Sequence, residues 1–238
     1  MRILVTAGST HEMIDSVRQW GNIFTGNTGL AIARALAEVG EVDLLTSNRL
    51  HIAELQTQQP SKFPIHPIGF VSHADLRHQL ERLMSDPSRY HAVFMSAAVA
   101  DYRPVRVYSV LQRNEQSDGT EQWIVQNVQS GKVKSNHPAI AILAEQTEKL
   151  VDLFRSKWHF TGLLVKFKLE VGISREALVE IGQKSRISSG AQYLVANTLD
   201  MVDGAGAGAF LLSDAGQEWV PRGQLPQRLV QIVKQTIS

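Results

Sequence analysis

The residues best suited to chemistry lie in two glycine-containing turns near the N-terminus. Ile3-Leu4-Val5-Thr6-Ala7 is an apolar run that leads into Gly8-Ser9-Thr10, and after a loop Thr25-Gly26-Asn27-Thr28-Gly29 opens a segment of helical spacing. Glycine lets backbone amides approach phosphate oxygens, and a helix N-terminus adds a dipole of favourable sign. Gly8, Ser9, Thr10, Thr25, Gly26 and Gly29 are therefore the candidate cradle for a phosphorylated nucleotide. The competing explanation is tight packing, with Gly26 and Gly29 only allowing the helix to lie close to the sheet.

Three further groups stand at or near predicted strand ends. Ser96-Ala97-Ala98-Val99-Ala100-Asp101-Tyr102 follows a strand; its small residues would let a ligand rest on backbone, and Asp101 would either orient a polar substrate or cap a turn. Lys132 and Lys134 flank Val133, so in an extended chain both ammonium groups share one face and either clamp an anion or form a solvated edge. Phe167 and Asn197 end late strands, where an aromatic ring can stack on a base and an amide can read its edge; core packing is the equal alternative for Phe167.

Absences narrow the chemistry. Phe24 stands where a dinucleotide fingerprint needs its first glycine, and Thr46-Ser47-Asn48 ends the second strand without a ribose-binding carboxylate. There is no Tyr-x-x-x-Lys pair, no P-loop, no G-x-S-x-G elbow and no second histidine in register with His11-Glu12. A metal held only by protein is not expected.

Positioning these groups requires alternating strands and helices. Strand patterns at Ile3–Ala7, Val42–Thr46, Ile65–Ile68 and Ala92–Ser96 alternate with helical patterns at 29–39, ending at Gly40 as a left-handed stop, and at 75–84. This predicts a Rossmann-like, doubly wound, mostly parallel α/β sheet. Between Pro104 and Lys134 the pattern becomes polar with scattered Tyr, Val and Trp, read as an inserted flap or hairpin. The alternation then resumes at 139–143, with a helix near 149–156, a strand at 163–167, a helix at 175–187 and a strand at 193–196. A hairpin turning at Asp214-Ala215-Gly216 and a helix from about Pro226 close the chain, and the Gly204–Gly208 tract reads as a flexible loop.

With 238 residues, 43% of them hydrophobic, a single domain over 1–238 is the expectation. Lys and Arg number 24 against 23 acidic residues, too balanced for a nucleic-acid partner. The chain has no cysteine, which fits a reducing, cytoplasmic setting and excludes thiolate chemistry by the protein itself. Its N-terminus reads as a strand without a leader, and no run of about 18 apolar residues suits a bilayer.

Taken together, the residues resemble the phosphopantothenate–cysteine ligase (phosphopantothenoylcysteine synthetase) family in its monofunctional, single-domain form. The resemblance rests on Val5–Gly8 with Ile14–Arg18, Asn22 followed by Thr25-Gly26 and Gly29, Ala97–Tyr102 with Pro104, Lys132-Val133-Lys134, Phe167–Glu170 and Val195–Asn197. It implies that CTP or ATP, with Mg²⁺ and without flavin, activates the carboxylate of 4′-phosphopantothenate before cysteine displaces the nucleotide. By this resemblance Asn22 holds the acyl-nucleotide and Arg18 anchors it or supports the loop. Gly8, Gly26 and Gly29 line the triphosphate, and Phe167 and Asn197 meet base and sugar. Ala97, Ala98 and Asp101 meet the acyl or cysteine part, and Lys132 or Lys134 reaches the anionic end. A homodimer is implied, with the flap at the contact. The compact form leans towards CTP, whereas Phe167-Lys168-Leu169-Glu170 looks like the ATP-accepting branch.

The chain departs from the family pattern at Ser9, at Phe24 and at Glu145–Lys149, where two carboxylates replace part of a basic stretch and would oppose an anionic substrate. A non-catalytic nucleotide- or pantothenate-binding paralogue and an NAD(P)-dependent dehydrogenase are the alternatives.

Overall fold

The computed structural model describes residues 1–57, 62–204 and 206–237. In chain order the elements are β1 (Arg2–Ala7), β2 (His11–Met13), β3 (Gln19–Gly21), α1 (Asn27–Leu36), β4 (Glu41–Thr46), α2 (Arg49–Thr57), β5 (Ile65–Gly69), α3 (His73–Leu83), β6 (Ala92–Met95), β7 (Tyr102–Glu115), β8 (Glu121–Asn127), β9 (Ile140–Gln146), α4 (Leu150–Ser156), β10 (Leu163–Glu170), α5 (Arg175–Ser188), β11 (Tyr193–Thr198), β12 (Gly208–Ser213), β13 (Gly216–Pro221) and α6 (Leu225–Ile237).

The main sheet has eight strands in the order β13-β12-β11-β10-β6-β1-β4-β5. The six strands from β11 to β5 run parallel, while β12 and β13 add an antiparallel hairpin at one edge. The expected doubly wound fold is thus the observed one. Its central strands are apolar on both faces because both are covered by helices. Along β1, Ile3, Val5 and Ala7 belong to the core that includes Leu30 and Ile32 of α1 with Leu229 and Ile232 of α6. Leu4 faces the other way, into the core of Leu76 and Leu80 from α3 and Phe154 from α4. The chain leaves β1 towards β4 and β5 and then returns to the other side as β6, so the strand order switches between β1 and β6.

Three local expectations need correction. The strand expected at 139–143 to resume the main alternation is β9, which pairs antiparallel with β7 in a separate three-stranded sheet, so the flap sheet reaches Gln146 rather than ending at Lys134. Helix α1 ends at Leu36, with Ala37 as a right-handed C-cap, and Gly40 is not in the left-handed region. A Cβ on Gly40 would lie 2.6 Å from the Met1 carbonyl oxygen, so close backbone approach accounts for this glycine. Helix α2 and the β2–β3 ribbon, which pairs His11–Met13 with Gln19–Gly21, are additions to the expected elements. In the tract read as a flexible loop, Ala205 lies outside the described residues, and Gly208 begins β12. Among the described residues no helix is long and apolar enough to cross a membrane.

Candidate active site

The order switch brings the loops after β1 and β6 together at the carboxyl edge of the sheet, where a crevice forms in open α/β folds. A parallel bridge between Ser9 and Ala98 carries the pairing beyond the strands. Two adjoining cavities open there, of about 230 and about 420 Å³. Phe24, Ala97, Ala98, Phe167, Lys168 and Leu169 line both, so one ligand can extend from one cavity into the other.

The smaller cavity gathers Gly8, Thr25, Gly26, Gly29, Phe167 and Asn197, all expected on the nucleotide side, together with Asn27, Ser96 and Arg222. Gly8 and Gly26 both have left-handed backbones, with φ of 86° and 82°. A Cβ on Gly26 would fall 2.2 Å from the Gly8 nitrogen, and one on Gly29 would fall 2.7 Å from both Ala7 Cβ and Ser96 Oγ. Packing and ligand binding are therefore not alternatives here. The glycines that let α1 press onto β1 also bring its N-terminus to the cavity. Gly26 caps α1 without a side-chain hydrogen bond, and no acidic residue occupies the first turn. The first amides of the helix are thereby left for an incoming anion.

Ser9 and Thr10, expected in the phosphate turn, line neither cavity and are buried. The Ser9 amide donates to Ser47 Oγ at 2.9 Å, and its hydroxyl donates to the Asn22 carbonyl at 3.1 Å. Thr10 accepts a 2.8 Å bond from the Ala100 amide, and its own amide donates to the Ala98 carbonyl at 3.1 Å. Both residues brace the site loops, and the cavity-facing surface falls to Gly8 and the 25–29 turn.

The larger cavity gathers Asn22, Ala97, Ala98 and Asp101, the set expected on the acyl side. Asn22 has its backbone pinned by Ser9, while its exposed carboxamide makes a single long contact, Nδ2 to the Ala98 carbonyl at 3.5 Å. It is a positioned but uncommitted donor. Asp101 is ion-paired with Lys149 rather than capping a turn. The two carboxylates that depart from the family pattern are also paired, Glu145 with Arg103 at 3.4 Å and Glu148 with Arg77 at 2.8 Å. Glu145 lines neither cavity, whereas Glu148 lines the larger one and meets a ligand there with its charge partly offset by Arg77. Phe167 packs against the core and also lines both cavities, so core packing does not withdraw it from the site.

Lys132 and Lys134 are exposed on either side of buried Val133, and they line neither cavity. Their loop is tied to the β2–β3 turn by Asp15. The Asp15 carboxylate accepts from the amides of Val17 at 3.0 Å, Arg18 at 2.9 Å and Val133 at 3.1 Å, and from Arg18 Nε at 2.9 Å. Arg18 Nη2 donates in turn to the Val133 carbonyl at 2.7 Å. The Arg18 guanidinium, followed by these amides, holds the Asp15 carboxyl well below its usual range. Arg18 thus supports the lysine loop.

Lys149, Lys166 and Ser185 of the larger cavity, and Arg222 of the smaller, are absent from the residues expected from sequence. Strand parity offered one signal. With Phe167 facing one layer, Lys166 and Lys168 must face the other at the same edge.

A doubly wound sheet with a double cavity at its switch point defines an open α/β protein with its crevice where such folds take ligands. Residues 1–120 match the family described as DNA/pantothenate metabolism flavoprotein C-terminal domain, and the chain belongs to that family. Among curated proteins it is 31% identical over 202 residues to the coenzyme A biosynthesis bifunctional protein CoaBC of Thermococcus kodakarensis, covering 83% of this chain and 41% of that protein. The chain spans about two fifths of the length of the first curated relatives it matches. Among solved structures, the DNA/pantothenate metabolism flavoprotein from Streptococcus pneumoniae superposes with a TM-score of 0.78 at 26% identity, covering 98% of both chains. The C-terminal domain of a coenzyme A biosynthesis bifunctional protein CoaBC superposes with a TM-score of 0.65 at 21% identity, covering 99% of this chain and 95% of that one, and shares the fold.

Proposed function

We propose that the chain is a ligase that joins 4′-phosphopantothenate to cysteine at the expense of CTP or ATP. The observation that carries this reading is the shared wall of the two cavities, with Asn22 on the acyl side of it. A triphosphate fits the smaller cavity, where Gly8, Gly26 and the N-terminus of α1 offer amides to its oxygens. The acyl substrate fits the larger one. Its carboxylate attacks the α-phosphorus, pyrophosphate leaves, and the acyl carbon becomes a usable electrophile. Attack by the cysteine amine then forms the amide bond, releases the nucleoside monophosphate and sheds a proton. Charge develops on the carbonyl oxygen in this second step, and a fixed carboxamide donor such as Asn22 stabilises it.

Among the described residues the lining of the smaller cavity holds no carboxylate, and no cluster of three metal-ligating side chains occurs. That donor set suits a magnesium ion carried in on the triphosphate with its waters, which would screen phosphate charge, rather than a protein-caged metal.

The family resemblance gives the lysine loop and the flap their roles. Lys132 or Lys134 reaches the anionic end of the substrate once the loop closes. The flap sheet exposes Leu111, Trp123, Ile124 and Leu143, apolar side chains of the kind a second copy of the chain would cover. Incubation with phosphopantothenate, cysteine, magnesium and either nucleotide is expected to yield one pyrophosphate per amide, with CTP preferred. Absence of the amide with both nucleotides overturns the reading.

A further inference from the structure

Strand β4 pairs with β1 and ends at Thr46 opposite Ala7, so the loop that follows β4 runs beside the loop that follows β1. In that loop Asn48 ties two elements together: its Oδ1 accepts from the Leu50 amide of α2 at 3.0 Å, and its Nδ2 donates to the Thr25 carbonyl at 3.0 Å. His51, in the first turn of α2, is 4% exposed and lines neither cavity. Its Nδ1 lies 3.2 Å from Thr46 Oγ1, and its Nε2 lies 3.1 Å from both Asn48 Nδ2 and Asn27 Oδ1.

The charged groups that act on this ring are Glu54 of α2 and Arg34 of α1, which pair with each other. Burial, ahead of the opposing pull of Glu54 and the assisting charge of Arg34, pushes the His51 imidazolium below its usual range, so the ring is neutral near pH 7. A neutral imidazole has one donor nitrogen and one acceptor nitrogen. Thr46 Oγ1 accepts from the Asn48 amide at 3.2 Å, and Nδ1 is the acceptor within reach of its hydroxyl proton. The ring proton then sits on Nε2 and is donated to Asn27 Oδ1, while Asn48 Nδ2 keeps the Thr25 carbonyl. The opposite tautomer would turn a lone pair towards the Asn27 oxygen. Asn27 is the first residue of α1, is exposed and lines the smaller cavity. Held by its oxygen, it directs its NH2 group away from His51, and among the described residues that group has no partner.

We propose that His51 is a positioning residue for the nucleotide: from behind the 25–29 turn it sets the Asn27 carboxamide with its NH2 towards the smaller cavity, as a side-chain donor to the phosphates beside the α1 amides. The inference rests on the ligase reading for a nucleoside triphosphate as the ligand, but binding without turnover tests it.

The experiment is calorimetric titration of the full chain with CTP and with ATP, in the presence of magnesium, for the parent, Asn27→Ala, His51→Leu, His51→Gln and the double variant Asn27→Ala/His51→Leu. Losing a hydrogen bond to a charged group is expected to weaken binding about tenfold in Asn27→Ala, with a smaller loss in His51→Leu. His51→Gln, whose amide can donate to the same oxygen, should recover most of that smaller loss. Because His51 acts through Asn27, the double variant should bind as Asn27→Ala does. Unchanged affinity in Asn27→Ala, losses that add in the double variant, or equal losses in His51→Leu and His51→Gln overturn the proposal. Nitrogen-15 NMR of the parent, with the His51 signals assigned by their absence from His51→Gln, holds even if His51→Leu does not fold: a proton on Nε2 is expected, and a proton on Nδ1 overturns the proposal. A parent that makes the amide but shows any of these contrary results keeps the ligase reading and loses the role of His51. Coupled losses at Asn27 and His51 in a parent that binds nucleotide but makes no amide would sustain the role and remove the ligase reading, and a parent that binds neither nucleotide removes both.

Discussion

Replacement of Asn22 by aspartate is expected to lower turnover by about a hundredfold or more while leaving the melting temperature nearly unchanged. The two effects separate because the residue's structural contribution is made by its backbone, through the carbonyl that accepts from Ser9 Oγ. The carboxamide itself is exposed and has only the 3.5 Å contact to Ala98 to lose. In the reaction it would be the donor facing a developing oxyanion, and removing one such donor typically costs two to three orders of magnitude, about 10²–10³-fold. A carboxylate is the harsher substitution, since it replaces the donor by a negative charge. Pyrophosphate release and thermal melting of the same samples provide the check; an Asn22→Asp variant within about threefold of the parent would remove Asn22 from the mechanism.

The second large effect is on stability. Gly26→Ala is expected to destabilise the fold by roughly 2–5 kcal/mol, from left-handed strain of about 1–2 kcal/mol and overpacking of about 1–3 kcal/mol. The clash is with backbone, 2.2 Å from the Gly8 nitrogen and 2.7 Å from its Cα, so no side-chain rotation relieves it. Gly119 is the internal control. It has the same φ of 82°, in the β7–β8 turn, but nothing lies within 4 Å of an added Cβ. Gly119→Ala should therefore show only the strain, about 1–2 kcal/mol. Denaturant midpoints for the two variants should differ clearly; equal losses would mean that the stacked turns of Gly8 and Gly26 do not constrain the site.

Much of this architecture was legible in the sequence because local pattern and tertiary role coincide. The run from Ile3 to Ala7 is buried on both faces as a central parallel strand requires, Gly8 ends it where the cavity forms, and Gly26 opens α1 at the same place. Where the two diverge, the sequence misleads. The segment at 139–143 has a strand-like pattern, but periodicity carries no information about which sheet accepts a strand, and β9 joins the flap. Helix α2 buries only His51 and Leu55, too narrow an apolar stripe to stand out, and β2 and β3 are three residues each.

The site shows the same division. Gly8, Thr25, Gly26, Gly29, Phe167 and Asn197 converge on one cavity, and Asn22, Ala97, Ala98 and Asp101 on its neighbour. Ser9 and Thr10 belong to the same short turn yet face inward, a choice made by the partners Ser47, Asn22, Ala98 and Ala100 from three distant segments. Lys166 is concealed for a related reason: a lysine on a strand reads as solvated until its burial against α5 is known.

The most direct test of the double cavity as the place where a carboxylate is joined to a nucleotide is isotope exchange without cysteine. If the nucleotide's triphosphate lies on the α1 turn and the acyl group lies beside Asn22, labelled pyrophosphate should enter CTP or ATP only when phosphopantothenate is present. Exchange that proceeds equally without phosphopantothenate, or amide formation with no such exchange under any nucleotide, would contradict the account.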